Sequence, residues 1–171
     1  MLCNNYSEIY KYYERIANNY KNRGLKILKT DTHNESGIWD ISIPLAPILA
    51  EGNELTCIEI DEVTLQKAKQ RFPDLDMRHG DIRTWEGDYD IIFDFSTIDH
   101  VADYREVLKR YRANAADLSC IVWLSDTRPC TTHQYFFPPV QFTKDIVEIY
   151  GTIDRTELYH EGSATLAHFL T

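Results

Sequence analysis

Three short apolar runs, residues 55–60, 89–95 and 118–124, are separated by segments whose apolar positions recur every three or four residues. This alternation constrains the chain more than any other feature. Short apolar runs between amphipathic helical patterns predict strands of a parallel sheet covered on both faces. The connections between them should be right-handed crossovers.

The flanking segments extend the pattern. Residues 6–20 place Tyr6, Ile9, Tyr10, Tyr13, Ile16, Ala17 and Tyr20 on one helical face, and Gly24 ends that helix. A strand over 25–28 runs into a polar loop, 29–37, and then into a helix outlined over 38–49 that Pro44 and Pro47 interrupt. Asp61 can cap a helix over 62–71, Pro73 breaks it, and residues 75–78 are extended up to Gly80-Asp81. Helices over 104–115 and 142–150, with a proline-containing loop at 126–141, precede strands over 153–159 and 164–170. Their tight link makes the last two strands an antiparallel hairpin, because a parallel return needs a crossover of a dozen or more residues. The expected fold is α/β, a Rossmann-like doubly wound sheet of seven strands, mostly parallel with an antiparallel last strand. Residues 1–24 are expected to form an amphipathic N-terminal helix and 25–171 a single domain.

Counting excludes several functions. The seven glycines lie at 24, 37, 52, 80, 87, 151 and 162, so no Gly-x-Gly occurs. That removes the dinucleotide fingerprint, the phosphate loop and the nucleophile elbow. The net charge of −9 argues against nucleic acid as a partner, although residues 1–30 hold six bases against two acids. Cysteines 3, 57, 120 and 130 form no Cys-x-x-Cys pair, and Cys57 and Cys120 sit in apolar runs, which predicts reduced thiols. The N-terminus is too polar for a signal peptide, and no apolar run is long enough to cross a bilayer. A cytoplasmic protein without membrane contact is the expectation.

Cys57-Ile-Glu59-Ile60-Asp-Glu-Val-Thr-Leu65, Phe72-Pro-Asp-Leu-Asp-Met-Arg-His-Gly80-Asp81-Ile82 and Asp90-Ile-Ile-Phe-Asp94-Phe95-Ser-Thr-Ile-Asp99-His100 resemble, in that order, the second, third and fourth strand segments of class I S-adenosylmethionine-dependent methyltransferases. The resemblance covers roughly residues 25–170. It implies that Glu59 accepts from both ribose hydroxyls, with Ile60 beside it, a match between two carboxylate oxygens and a vicinal diol. It further implies that Asp81 accepts from the adenine amino group, that Ile82 packs on the ring, and that Asp94 and Phe95 flank the methionine arm. The cofactor implied is S-adenosyl-L-methionine. A small-molecule acceptor is expected, methylated on oxygen or nitrogen.

The first motif departs from this family. Where a Gly-x-Gly turn belongs, the chain has Lys29-Thr-Asp31-Thr-His-Asn34-Glu35-Ser-Gly37. Either Asp31, Asn34 and Glu35 hold the amino and carboxylate ends of the cofactor by side chain, with Gly37 a further contact, through its backbone, or cofactor affinity has decayed; retention fits the intact Glu59 and Gly80-Asp81 better. Decay would leave a non-catalytic module that binds a nucleoside or a protein. Methyl transfer is an in-line displacement from an already reactive sulfonium, so positioning supplies much of the acceleration. Asp99-His100 is the most plausible acid/base pair, His100 taking the proton and Asp99 raising its basicity, against a plain reading as a helix cap beside a polar His. His133 is a solvated loop residue on the simplest reading. No metal is expected: Asp94 and Asp126 resemble the carboxylate positions of metal-assisted catechol-type methyltransferases, but the resemblance fails at Thr127, where it implies an Asn ligand, and Cys130 with His133 gives only half a zinc site.

Overall fold

The computed structural model describes residues 6–38, 42–124, 139–161 and 164–171. Its strands are β1 (Lys26–Lys29), β2 (Glu54–Glu59), β3 (Asp76–His79), β4 (Tyr89–Phe95), β5 (Ala115–Leu124), β6 (Arg155–Glu161) and β7 (Ala164–Leu170). They form one sheet in the order β3-β2-β1-β4-β5-β7-β6, with β7 antiparallel to both β5 and β6 and the remaining pairs parallel. The expected seven-stranded, doubly wound sheet with a reversed last strand is what the chain forms.

Alternation along β4 distributes the core. Ile91, Phe93 and Phe95 face one apolar cluster, which holds Ile9, Tyr13, Ile16 and Ala17 of α1 (Tyr6–Asn18), Leu49 of α3 (Ala46–Ala50), and Leu65 and Ala68 of α4 (Glu62–Arg71). Ile92 faces the other, with Val107, Leu108 and Tyr111 of α5 (Tyr104–Asn114) and Phe142 and Ile146 of α6 (Pro139–Tyr150). Phe93 and Phe142 are fully enclosed, each burial stabilising the fold by about 1.5–3 kcal/mol. The N-terminal helix is thus part of the core that the sheet builds.

The largest departure from the sequence reading lies between β1 and β2. The polar loop expected over 29–37 contains a helical turn, α2 (His33–Ser36), closed by Gly37 at φ +67°. The helix expected over 38–49 is confined, within the described residues, to Ala46–Ala50. Pro47 is tolerated there because the first-turn N–H groups of a helix have no intrahelical partner. Smaller shifts occur elsewhere. β1 and β3 each begin and end one residue later than expected, and β5 starts at Ala115 directly from α5. α6 begins at Pro139, inside the segment read as loop, and β6 spans Arg155–Glu161.

Candidate functional site

The order of parallel strands reverses between β1 and β4, which pair with each other while continuing in opposite directions through β2 and β5. In open α/β sheets the crevice beyond the strand C-termini at such a point is where ligands bind. Three segments meet here: residues 29–37 from the last residue of β1, 59–61 from the last residue of β2 and 94–100 from the end of β4. They are tied to one another by side chains. Thr32 donates its backbone N–H at 2.9 Å and its hydroxyl at 3.2 Å to Glu59 Oε2. Thr97 Oγ1 accepts from Thr30 Oγ1 at 3.1 Å and donates to Asp31 Oδ2 at 3.2 Å.

Beneath the first loop lies a feature that was not read from the sequence. Lys29 is completely buried, and its ammonium donates to the Asp31 carbonyl at 2.7 Å, Asp31 Oδ1 at 3.1 Å and Glu35 Oε2 at 3.1 Å. All three N–H groups are used. Burial alone would lower its pKa, but Asp31 and Glu35 outweigh that and hold the group charged. Glu35 is also fully enclosed. Its Oε1 accepts the backbone N–H groups of Leu45 and Ala46, each at 2.8 Å, satisfying the open start of α3 from ten residues away. The signal available in the sequence was a lysine inside an apolar strand with acids two and six positions later.

The predicted cofactor residues occupy different surroundings. Asp31 is partly exposed, with Oδ1 also accepting the His33 N–H at 3.0 Å. Asn34 is buried and donates to the Ile43 carbonyl. Gly37 lies under the Arg71 guanidinium, which donates to the Glu35 carbonyl at 2.7 Å, so a Cβ there would collide with it. Glu59 is 8% exposed and receives Asp61 N–H on Oε1 at 3.0 Å in addition to Thr32 on Oε2. Ile60 is 56% exposed. Asp81, beyond β3, is gripped by the Arg83 fork, with Nη2 at 2.6 Å and Nε at 2.9 Å from Oδ2, which holds its carboxyl below the usual range. Ile82 is buried in the cluster under α5.

Asp94 is fully buried at the end of β4. Its Oδ1 accepts Thr97 and Ile98 N–H at 2.9 and 3.2 Å and its Oδ2 accepts the Tyr111 hydroxyl at 2.7 Å, while burial pushes its pKa up to about 6. The carboxylate therefore builds the turn that leads to Asp99 and His100. Phe95 is buried against Phe93 and Tyr13. Asp99 is buried and His100 is 44% exposed, with Nε2 3.9 Å from Asp99 Oδ1, close enough for an ion pair with a protonated imidazole but longer than a hydrogen bond. Ser96 adopts φ +57°, and its hydroxyl meets the Tyr13 hydroxyl at 2.8 Å, fastening α1 over the end of β4.

Asp126, Thr127, Cys130 and His133 lie outside the described residues. Among the described residues no group of three or more potential ligands could hold a metal, and no helix is long and apolar enough to cross a membrane. A depression lined by Arg23, Asp90, Asp117 and Asp154 lies at the opposite sheet edge, away from the strand C-termini, and Asp90 is engaged there by the Lys26 N–H.

No protein-family model matches the sequence, and no curated protein matches it. Solved structures do share its fold. The N-terminal domain of EvdMO1, crystallised in the presence of SAH and D-fucose, superposes with a TM-score of 0.70 at 12% identity, over 99% of this chain and 83% of that one. Magnesium protoporphyrin IX methyltransferase from Synechocystis PCC 6803, with bound SAH, gives 0.69 at 15% identity over 96% and 83%. A SAM-dependent methyltransferase from Aquifex aeolicus gives 0.66 at 17% identity over 98% and 92%. At these identities the likeness is one of fold, and the fold is that of class I S-adenosylmethionine-dependent methyltransferases.

Proposed function

We propose that this chain is an S-adenosylmethionine-dependent methyltransferase acting on an oxygen or nitrogen of a small molecule. The observation that carries the reading is the placement of Asp31 and Glu59 at the switch point: Glu59 is bound by Thr32, the chain neighbour of Asp31, and Asp31 is bound by Thr97 of the loop after β4. Acceptor-only groups fit a ligand that offers hydroxyls and an ammonium. Thr32 occupies both lone-pair positions of Glu59 Oε2 and the Asp61 N–H occupies one on Oε1, so Oε1 keeps one position for a ribose hydroxyl, and the exposed Ile60 offers apolar surface beside it. Asp31 takes the ammonium. Bound S-adenosylmethionine supplies the activated methyl.

The remaining work belongs to the protein. Asp94 holds the 97–98 turn, and that turn presents Asp99 and His100 together. His100 accepts the proton of the acceptor group as it is methylated, and Asp99 stabilises the resulting imidazolium. Glu35 and Asp94, both enclosed, act by building loops rather than by touching ligand. Gly37 serves the turn that ends α2.

One observation favours a second reading, a methyltransferase-like module without transfer: Asp81 is neutralised by Arg83 and Glu59 already carries three protein donors. Calorimetric titration with S-adenosylmethionine and S-adenosylhomocysteine, beside NADH as control, separates the two. Micromolar binding of the first two supports the enzyme, and binding of neither favours the module.

A further inference from the structure

The Lys29 ammonium is enclosed with one carboxylate that never reaches solvent and one that does: Glu35 is 0% exposed and Asp31 is 13% exposed. One cation against two carboxylates leaves the triad with a net negative charge, and Asp31 is the member through which that charge can be met. Lys29 grips Asp31 at two points, the backbone carbonyl and Oδ1, while the His33 N–H takes a second position on Oδ1. Oδ2 is thereby turned to Thr97 on the β4 side of the crevice. A loop with one glycine is thus held in a single geometry by a buried charge.

We infer that Lys29 is a positioning residue, which fixes the Asp31 carboxylate to receive the cationic amino-acid end of the ligand. It stands in for the backbone turn that a glycine-rich loop would provide. The inference rests on the reading that this crevice binds S-adenosylmethionine, and it adds a residue that touches no ligand yet sets the affinity for one half of it. Glu35 shares the role from the other side, anchoring Lys29 to the start of α3.

The test uses two probes, S-adenosylhomocysteine, which carries the ammonium, and 5′-methylthioadenosine, which is the nucleoside half without it. Lys29→Met removes the cation but leaves the enclosed Glu35 and the partly exposed Asp31 opposed with no cation between them, so it is paired with Lys29→Met/Glu35→Gln. The double variant keeps the net charge of the triad, and the side-chain amide oxygen that Glu35→Gln introduces can still accept from Leu45 and Ala46. With the fold checked by circular dichroism, the double variant should lose about tenfold or more in affinity for S-adenosylhomocysteine and keep that for 5′-methylthioadenosine. If charge balance were the only role of Lys29, the double variant would bind both probes like the parent chain, and the inference would fall. An equal loss for both probes would overturn it too. Failure of the parent chain to bind either probe would instead overturn the reading of the site, and the inference with it.

Discussion

The Tyr111 hydroxyl donates to Asp94 Oδ2 at 2.7 Å inside the layer between α5 and the sheet, where both side chains are enclosed. This contact joins a helix to the end of the strand from which the candidate acid/base turn departs. It makes the turn sensitive to the protonation of a carboxylate that never meets solvent.

Asp94 is expected to impose an unusual pH dependence. Its pKa rises from the ordinary 3.8 to about 6 on folding, chiefly through burial. Between these values the folded chain binds more protons at this site than the unfolded chain, so its contribution to stability falls as pH rises from about 4 to about 6. In Asp94→Asn the amide oxygen can still accept from Thr97 and Ile98, and the titration is gone. Thermal melts of both proteins across that range should show the parent losing ground relative to the variant as pH increases. A constant difference in Tm would contradict the assignment.

His168 acts with the opposite sign. It lies buried on β7 with Nε2 2.8 Å from Ser119 Oγ, and burial, aided by Arg155 and Arg15, lowers its pKa from 6.5 to about 4. The unfolded chain takes up the proton first, so this contribution is intact above about pH 6.5 and is lost as pH falls toward 4. His168→Gln should remove that acid-side loss in parallel melts, while costing about 1 kcal/mol at neutral pH through disturbed bonding to Ser119.

Glu59→Gln tests the β2 carboxylate. An amide has one acceptor oxygen, so its NH2 must face either the Thr32 or the Asp61 N–H. We expect a loss of about 1–3 kcal/mol in stability, together with a loss of about tenfold or more in S-adenosylhomocysteine affinity. Glu59→Ala combined with Asp81→Ala should abolish binding. Calorimetry that finds the double variant unchanged would remove both residues from the site.

Gly37→Ala addresses the end of α2. The position has φ +67° and the Arg71 guanidinium fills the space where a Cβ would go. Left-handed backbone costs an L-residue about 1–2 kcal/mol, and displacing Arg71 also loosens its bond to the Glu35 carbonyl. Denaturant melts should show a lower midpoint with an unchanged slope.

Much of the fold was legible because its signals are local. The apolar runs at β2, β4 and β5 and the helical spacing of α1, α4 and α5 each lie within a few residues, and the acids Glu59, Asp81 and Asp94 could be assigned to strand ends on that basis. The first loop was the exception. Its helical turn is held by Lys29, by Thr32 bonded to Glu59 and by Arg71 reaching over Gly37, and the last two partners come from distant segments.

What the sequence determined by itself was therefore the order of elements, the reversed last strand and the edge of the sheet where charge collects. The tertiary structure decided which charges face a ligand and which face one another. Glu35 and Asp31 look alike in the sequence, four positions apart in one polar segment, yet one is sealed beneath α3 and the other opens to the crevice. The difference comes from desolvation: a carboxylate can be enclosed only where donors from elsewhere in the chain replace its water. For Glu35 those donors are Lys29 and the N–H groups of Leu45 and Ala46, brought together only when β1 and α3 pack.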